Sequence, residues 1–299
     1  MRINTNISSL TAQEAAQNTT KSITGSLEKL STGLKINKAS DDASGLAIAD
    51  KLRTQATSIN QGIANGNSAV ALLQIADKSM GEQSNILDTI KAKLIQANTA
   101  TTSNDGKVAI AKDVNKLLDQ LNIIAKQTNY NGTNLLQKNR DSAVATTELS
   151  FQVGENRGDL IKTNTVNSNT SGLNLRSLKL SASAGAKLTA ASAKAISSGS
   201  AAFGSKTVIS ASQKLVDDAI TTLNGYRGDI GSTQNQVESA VRNLMTQATN
   251  VKAAESIIRD VDYAQESANF NKQNIISQAG SYAISQANAV QQNVLRLLQ

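Results

Sequence analysis

The apolar residues near both ends of the chain recur at alternating spacings of four and three, and this pattern restricts the fold most. It runs through residues 23–34 and 80–97 in the N-terminal half, and through 230–251 and 276–297 in the C-terminal half. Such spacing places the apolar side chains along one face of a helix and is typical of coiled-coil-like packing. The chain contains no proline, the residue that most disrupts a helix interior, so these helices can be long.

The composition favours a narrow buried seam over a thick core. Only 2% of the residues are aromatic, against 39% that are hydrophobic, so Ala, Leu, Ile and Val must supply the buried surface. In the middle of the chain ELSFQVG alternates Leu149, Phe151 and Val153 with polar residues, and LIKTNTV can return as the second strand of a hairpin. We therefore expect a mainly α fold: an elongated coiled-coil-like bundle of N- and C-terminal helices with a small β-hairpin and variable insertion between them.

Two missing residue types limit the chemistry of the chain. It has no histidine and no cysteine, which excludes Ser–His–Asp catalysis, histidine metal sites, disulfides and zinc–thiolate sites. The adjacent acids Asp41 and Asp42 would diverge by about 100° on a helix, a poor layout for paired acid–base work. The sequence therefore predicts no catalytic, metal or cofactor-binding residues.

Charge and hydropathy argue against two kinds of partner. The net charge is +7, but the basic residues of 173–212 are spaced apart and have one aromatic neighbour, Phe203, so we expect no nucleic-acid binding. No run of about 18 apolar residues occurs, so we expect no membrane insertion. The first residues lack the apolar core of a secretory signal, so we expect a protein that stays inside the cell or leaves by another route.

Several long motifs then resemble one family, in the right order along the chain. The N-terminal motifs are INTNISSLTAQ, LSTGLKINKASDDASGLAIADKL and QTNYNGTNLL, and FQVGENRGD is similar to the start of the family's β region. The C-terminal motifs are LNGYRGDIGSTQNQVESAVRNL, ESIIRDVDYAQE and QANAVQQNVLRLLQ. They resemble bacterial flagellin over about 1–170 and 213–299, and the likeness lapses between 173 and 212.

The resemblance implies a structural subunit that is not an enzyme and polymerises into the helical flagellar filament for motility. It implies export, unfolded, by the flagellar type III apparatus with a chaperone, and identical subunits, the filament cap and hook-junction proteins as partners. It also implies three regions: 1–40 with 260–299 as the filament core, 41–172 with 213–259 as a helical shell, and 173–212 as a short variable surface region. The protein would be secreted and extracellular.

The resemblance and the apolar pattern together predict which side chains serve self-assembly. All lie on the two terminal helices that would line the filament core. They are Ile3, Ile7, Leu10, Ile23, Leu27, Leu30, Leu34, Ile276, Ala283, Ala287, Val290, Val294 and Leu297.

We interpret LSTGLKINKASDDASGLAIADKL as the joint between a terminal helix and the next helix. Gly33 permits the bend, Ser40 or Asp41 is the expected cap of the second helix, and Asp42 adds an acid to its first turn. A phosphate-binding loop is disfavoured because GxxxxGK[ST] is absent.

A second segment differs from the family pattern. Many flagellins have Arg-x-Arg-Glu-Leu where this chain has Thr89, Lys91, Ala92 and Lys93, and that stretch is contacted by the vertebrate Toll-like receptor that senses flagellin. The resemblance therefore predicts weakened recognition by this receptor.

Three other readings of the sequence stay open. A hook–filament junction protein would share the terminal heptads but diverge in the interior motifs. An enzyme is disfavoured by the missing histidine and cysteine, and a polyanion-binding module would be distinguished by salt-dependent retention on heparin.

Overall fold

The computed structural model describes residues 6–138, 145–178 and 206–297, most of which are helical. The described residues form five α-helices: α1 (Ile7–Thr32), α2 (Ala43–Asn98), α3 (Asn104–Gln127), α4 (Lys206–Arg259) and α5 (Tyr263–Leu297). The strands are β1 (Asn129–Tyr130), β2 (Thr133–Asn134), β3 (Ser150–Gln152) and β4 (Leu160–Lys162), and a short 3-10 helix covers Arg176–Leu178. The predicted mainly α class with a small β insertion is confirmed.

The chain forms two compact units. The first contains residues 1–57 and 247–299, and the second contains residues 58–246. The first unit includes α1 and α5, with the beginning of α2 and the end of α4. The three-region division expected from the sequence stays a prediction.

The second unit is organised around one continuous stripe on α2. The stripe lies at alternating spacings of three and four and consists of Ile59, Gly62, Gly66, Ala69, Leu73, Ala76, Met80, Gln83, Leu87, Ile90, Leu94 and Ala97, all buried. The part from Met80 onward was predicted from the apolar pattern. Each fully buried Leu or Ile in it contributes about 1.5–3 kcal/mol to folding.

Two of these positions are glycines because another part of the unit approaches the helix closely. A Cβ on Gly62 would lie 2.5 Å from the carbonyl oxygen of Val153, and a Cβ on Gly66 would overlap the side chain of Val241. The contacts at Gly62 and Gly66 bring the β3–β4 hairpin and α4, respectively, against α2.

Helices α3 and α4 supply most of the facing surface. On α3 the buried residues are Ile110, Ala111, Val114, Leu118, Leu121 and Ala125, and on α4 they include Ile209, Val216, Leu223, Ile230, Val237, Val241 and Leu244. Ser103 caps α3, because its side chain accepts the hydrogen bond from the Gly106 amide at 3.2 Å. Asp105 lies in the first turn, where an acid favours the helix dipole.

A buried glutamine interrupts the apolar stripe. Gln83 is fully buried, and its Nε2 donates to the carbonyl oxygens of Leu121 (3.2 Å) and Ser168 (3.1 Å). These bonds tie α2 to α3 and to the segment that follows β4. A buried polar group that is satisfied only in one alignment fixes the register of the packed elements.

The second unit contains two short hairpins, and the β3–β4 hairpin lies where the alternating pattern predicts it. Asn131 and Gly132 both have positive φ, 49° and 82°, between the paired residues Tyr130 and Thr133. In the second hairpin Phe151 pairs with Ile161, which is buried. Most of the predicted variable region, residues 179–205, lies outside the described residues.

Candidate self-assembly site

The chain between α1 and α2 pairs with the chain between α4 and α5, which forms the joint of the first unit. The pairing is a short antiparallel contact of 33–35 with 259–261. Its backbone contacts are the bridge of Leu34 with Asp260, the Lys35 amide donating to Arg259 O at 2.6 Å and the Val261 amide donating to Gly33 O at 3.0 Å. The sequence motif predicted a bend here but not this partner.

Gly33 is required at the joint for two reasons. Its φ is +75°, a left-handed conformation in which its amide closes α1 by donating to Lys29 O at 2.9 Å. A Cβ at this position would also lie 3.2 Å from the hydroxyl oxygen of Tyr263. That hydroxyl donates to Leu30 O at 3.1 Å, so the start of α5 is attached to the end of α1.

The cap of α2 is Asp42, rather than Ser40 or Asp41. Helix α2 begins at Ala43, and the Asp42 Oδ1 accepts a hydrogen bond from the Gly45 amide at 2.9 Å. This is the usual geometry of a cap, in which a side-chain oxygen satisfies an amide of the first turn.

Asp41 instead closes the turn before the helix. Its Oδ2 accepts from the amides of Asn37 (3.0 Å) and Lys38 (2.9 Å). These backbone hydrogen bonds favour the ionised carboxylate and lower the pKa of Asp41, and the charges of Lys29 and Lys38 act in the same direction.

The pairing of α1 with α5 uses mostly small side chains. The facing positions on α1 are Ser9, Ala12, Ala16, Thr19, Ile23 and Ser26, and on α5 they include Phe270, Gln273, Ser277, Gly280, Ile284 and Ala287. A Cβ on Gly280 would lie 4.0 Å from the Cβ of Ala16. At the first turn of α1, the Asn6 Nδ2 donates to Ala287 O at 3.1 Å and its Oδ1 accepts from the Ser9 amide.

Apart from Ile23, Phe270 and Ile284, which lie between the helices, seven large apolar side chains of α1 and α5 point outward. Between 46% and 74% of each remains exposed in Ile7, Leu10, Leu27, Ile275, Ile276, Tyr282 and Val290. We call this set the outward apolar face. Apolar residues repeated along both helices of a pair indicate a surface that another molecule covers.

The predicted assembly residues therefore divide between the two sides of the helix pair. Ile23, Leu30 and Ala287 are half-buried, whereas Ala283 and the predicted residues in the outward apolar face are exposed. Leu34 was predicted on the helix but lies in the joint, because α1 ends at Thr32. Ile3 and the side chains of Val294 and Leu297 lie outside the described residues. Their predicted role in assembly stays a prediction.

The segment that departs from the family pattern makes two ion pairs. Lys91 Nζ lies 2.6 Å from Asp217 Oδ1 on α4, and Lys93 Nζ lies 2.9 Å from Asp113 Oδ2 on α3. The hydrogen bond and the charge of Lys93 lower the pKa of Asp113. Thr89 and Ala92, on the same turn of α2, are exposed.

Two further features bear on chemistry. In the described part of the chain, no three or more His, Cys, Asp or Glu side chains form a group that could hold a metal ion. A cleft of about 280 Å³ between α2 and α4 has polar walls, and Arg227 Nε pairs with Asp77 Oδ1 there at 2.9 Å.

Over the three described ranges, no helix combines the length and the hydropathy that a membrane crossing needs.

Functional residues that the sequence analysis missed are Asn6, Asp262 and Tyr263. Asp262 caps α5, because its Oδ1 accepts from the amides of Ala264 (3.0 Å) and Gln265 (3.1 Å). Asp262 followed three residues later by Gln265 is a pattern typical of a helix N-terminus, so this cap could have been predicted from the sequence. Nothing in the local sequence identifies the long-range partners of Asn6 and Tyr263.

Comparison with known proteins gives matches over the whole chain. Family models described as the bacterial flagellin N-terminal and C-terminal helical regions match residues 3–141 and 213–298. The flagellin of Bacillus subtilis is 34% identical over 304 residues, and the flagellar filament 30.7 kDa core protein of Treponema maltophilum is 32% identical over 301, each alignment covering 100% of both chains. A crystal structure of Bacillus cereus flagellin aligns with 64% of this chain and 94% of its own at a TM-score of 0.46 and 23% identity, too distant to carry an argument.

Proposed function

The chain belongs to the bacterial flagellin family, and from that premise we propose that it polymerises through the outward apolar face of α1 and α5. Membership makes it a structural subunit of the extracellular flagellar filament, not an enzyme. We propose further that it serves motility and leaves the cell unfolded through the flagellar type III apparatus.

The observation that carries this proposal is the placement of side chains on the terminal helix pair. Mostly small residues lie between α1 and α5, together with Ile23, Phe270 and Ile284, and seven other large apolar residues point away from the pair. Full burial of an exposed Leu or Ile side chain by a neighbouring subunit would stabilise the contact by about 1.5–3 kcal/mol. Contacts of this kind between different patches of identical subunits generate an open helical filament when they do not close into a ring.

The test compares two substitutions at equally exposed residues. Leu27 and Ile95 are both 54% exposed, but only Leu27 belongs to the outward apolar face. We expect Leu27→Asp to raise the critical concentration for polymerisation by about tenfold or more, because it removes the burial of one leucine. Ile95→Asp is the control and should change it much less.

Dissociated protein is repolymerised, the remaining free subunit is measured after sedimentation, and the polymer is imaged by electron microscopy. Circular dichroism of the dissociated variants checks that both remain helical. Normal polymerisation of L27D together with loss of polymerisation in I95D would assign the contact to the second unit instead.

The proposed division of the assembled filament follows the family resemblance. Residues 1–40 with 260–299 form the core, 41–172 with 213–259 form the shell, and 173–212 faces solvent. Truncating about 20 residues from either end should then abolish filaments, because each truncation removes about four to five turns of a core helix. Ordered filaments from both truncated chains would contradict this division.

Export is supported by the absence of cysteine, since a chain without thiols cannot become crosslinked while it is unfolded. Export chaperone, hook-junction and cap proteins are the partners that this route implies. A strain with a blocked flagellar export channel should retain the protein inside the cell, whereas secretion from that strain would require another route.

We also propose weakened recognition by the Toll-like receptor. Lys91 and Lys93 of this segment form ion pairs with Asp217 and Asp113 of the same chain, so their charges are already engaged in contacts within the subunit. Combining Thr89→Arg, Ala92→Glu and Lys93→Leu should increase the potency of purified monomer on reporter cells. Lys78→Leu, on the same helix, is the control. Full potency of the unsubstituted protein would refute the proposal.

A further inference from the structure

Asparagine followed by glycine occurs three times in the chain, in three different structural settings. The pairs are Asn65–Gly66, Asn131–Gly132 and Asn224–Gly225. The first lies within α2 and the last within α4, whereas Asn131–Gly132 forms the two-residue turn of the β1–β2 hairpin. The same dipeptide is therefore presented once in a turn and twice in a helix.

Asparagine followed by glycine is prone to deamidation, because the backbone amide nitrogen of the glycine can attack the side-chain amide of the asparagine. The Gly132 nitrogen gives its proton to solvent base and forms a bond to the Asn131 Cγ. The Cγ–Nδ2 bond then breaks, and Nδ2 leaves as ammonia after taking up a proton. Water opens the resulting succinimide ring at either carbonyl carbon, which yields aspartate or isoaspartate.

The turn leaves the reacting groups accessible. Asn131 and Gly132 are exposed, and nothing lies within 4 Å of the place where a Cβ on Gly132 would be. The ladder of the hairpin joins the flanking residues Tyr130 and Thr133, so the Gly132 amide is outside it. Solvent base and water can therefore reach this amide.

The two helical pairs are restrained, each in a different way. The side chain of Asn65 is held at both ends: its Oδ1 accepts from Gln61 Nε2 at 3.0 Å, and its Nδ2 donates to Gln152 O at 3.1 Å. Asn224 is exposed like Asn131, but the Gly225 amide is inside α4, where amides donate to the carbonyl four residues earlier. Attack at Asn224 therefore requires local opening of the helix.

We propose that Asn131 is a site of spontaneous, succinimide-mediated deamidation in the folded protein, selected over Asn65 and Asn224 by its hairpin turn. Its products add a carboxylate to the turn. Isoaspartate also lengthens the backbone by one methylene. That extra atom changes the loop length that fixes the pairing of Tyr130 with Thr133, so isoaspartate disturbs the hairpin where it forms.

The experiment follows oxygen incorporation at all three sites in one sample. The full-length folded protein is kept at mildly alkaline pH in heavy-oxygen water and then digested with trypsin, which places the three pairs on separate peptides. Fragmentation by mass spectrometry locates the label and distinguishes aspartate from isoaspartate. A second sample, incubated in urea, gives the intrinsic rate of each pair.

We expect labelling at Asn131 to exceed that at Asn224 by at least about tenfold in the folded protein, since Asn224 reacts only while its helix is open. In urea the three rates should converge. Asn131→Gly keeps a residue that accepts positive φ and should abolish the label in this peptide without disturbing Asn224. Equal folded-state rates at Asn131 and Asn224, or faster reaction at Asn65, would overturn the proposal.

Discussion

Gly25 lies inside α1 and Gly33 directly follows it, yet substitution by alanine should change the stability of the protein in opposite directions at the two positions. Gly33 has φ +75° and lies against Tyr263, whereas nothing lies within 4 Å of a Cβ on Gly25, inside α1. Gly33→Ala should lower the free energy of unfolding by about 1–2 kcal/mol, the cost of the left-handed conformation for alanine. Gly25→Ala should raise it by about 0.5–1 kcal/mol.

Urea titration followed by helical circular dichroism measures both changes. Gly25→Ala is the control for the effect of alanine on α1 itself. Equal effects of the two substitutions would mean that Gly33 is not held in the left-handed conformation in solution.

Asp41 gives the joint a dependence on acidity. Its folded-state pKa is lowered, first by the hydrogen bonds from the Lys38 and Asn37 amides. A carboxyl with a lowered folded-state pKa stabilises the fold above its unfolded pKa of about 3.9, and that contribution is lost as the pH falls through the folded value. Asp41→Asn should therefore make stability of the first unit depend less on pH in this acidic range.

The carboxyl carbon of Asp41, followed by NMR during acid titration, should have its midpoint below the ordinary aspartate value. An ordinary midpoint for Asp41 would show that the two turn hydrogen bonds do not persist in solution.

At this scale the sequence predicted some local features and not others. The β3–β4 hairpin followed from the alternation of Leu149, Phe151 and Val153 with polar residues. The choice of Asp42 over Ser40 and Asp41 as cap did not follow, because three neighbouring residues can all accept hydrogen bonds from amides. Only the position at which α2 begins decides among them.

Among the helices, α2 shows how one stripe serves two kinds of packing. Its buried positions are small at Gly62, Gly66 and Ala69 and large from Met80 to Leu94. The small residues admit the backbone of Val153 and the side chain of Val241. The large ones fill the space between α2, α3 and α4.

Gly62→Ala tests the close approach on α2. Its Cβ would lie 2.5 Å from a backbone carbonyl oxygen that cannot rotate away, so the free energy of unfolding should fall by about 1–3 kcal/mol. Gly81→Ala, on the same helix with nothing within 4 Å, should raise it by about 0.5–1 kcal/mol. Thermal and urea unfolding of both variants measure the difference, and a neutral Gly62→Ala would mean that the hairpin does not contact α2 in solution.

The apolar pattern predicted α2 and α4 better than the terminal helices. On α4 the predicted positions Ile230, Val237, Val241 and Leu244 are buried. On α1 the facing register includes Ile23 but passes through Ser26 rather than the predicted Leu27. A search for hydrophobic periodicity selects the largest apolar residues of a helix. On a helix with two contact surfaces, the largest residues need not be the ones that face the intramolecular partner.

At the scale of the whole molecule, the terminal pair differs from the usual arrangement of a helix pair. Seven of its large apolar residues point outward, whereas Ile23, Phe270 and Ile284 face the intramolecular partner. The pairing of α1 with α5 buries few methylene groups per turn, and helices without extensive tertiary packing are marginal. Covering the outward apolar face in a filament would supply the missing burial. Ordering of these helices is then coupled to polymerisation, because any partner that binds only the folded form stabilises it by mass action.

Hydrogen exchange on monomer and filament tests this coupling. Protection should increase on polymerisation mainly in residues 7–32 and 263–297, which form α1 and α5, because local opening there exposes the face that neighbours cover. The stripe of α2 from Met80 to Ala97, already buried within one chain, is the internal control and should be protected in both states. Equal protection of α1 and α5 in monomer and filament would mean that the small-residue interface alone holds the pair together. The outward apolar face would then contribute to contacts between subunits without contributing to the folding of either helix.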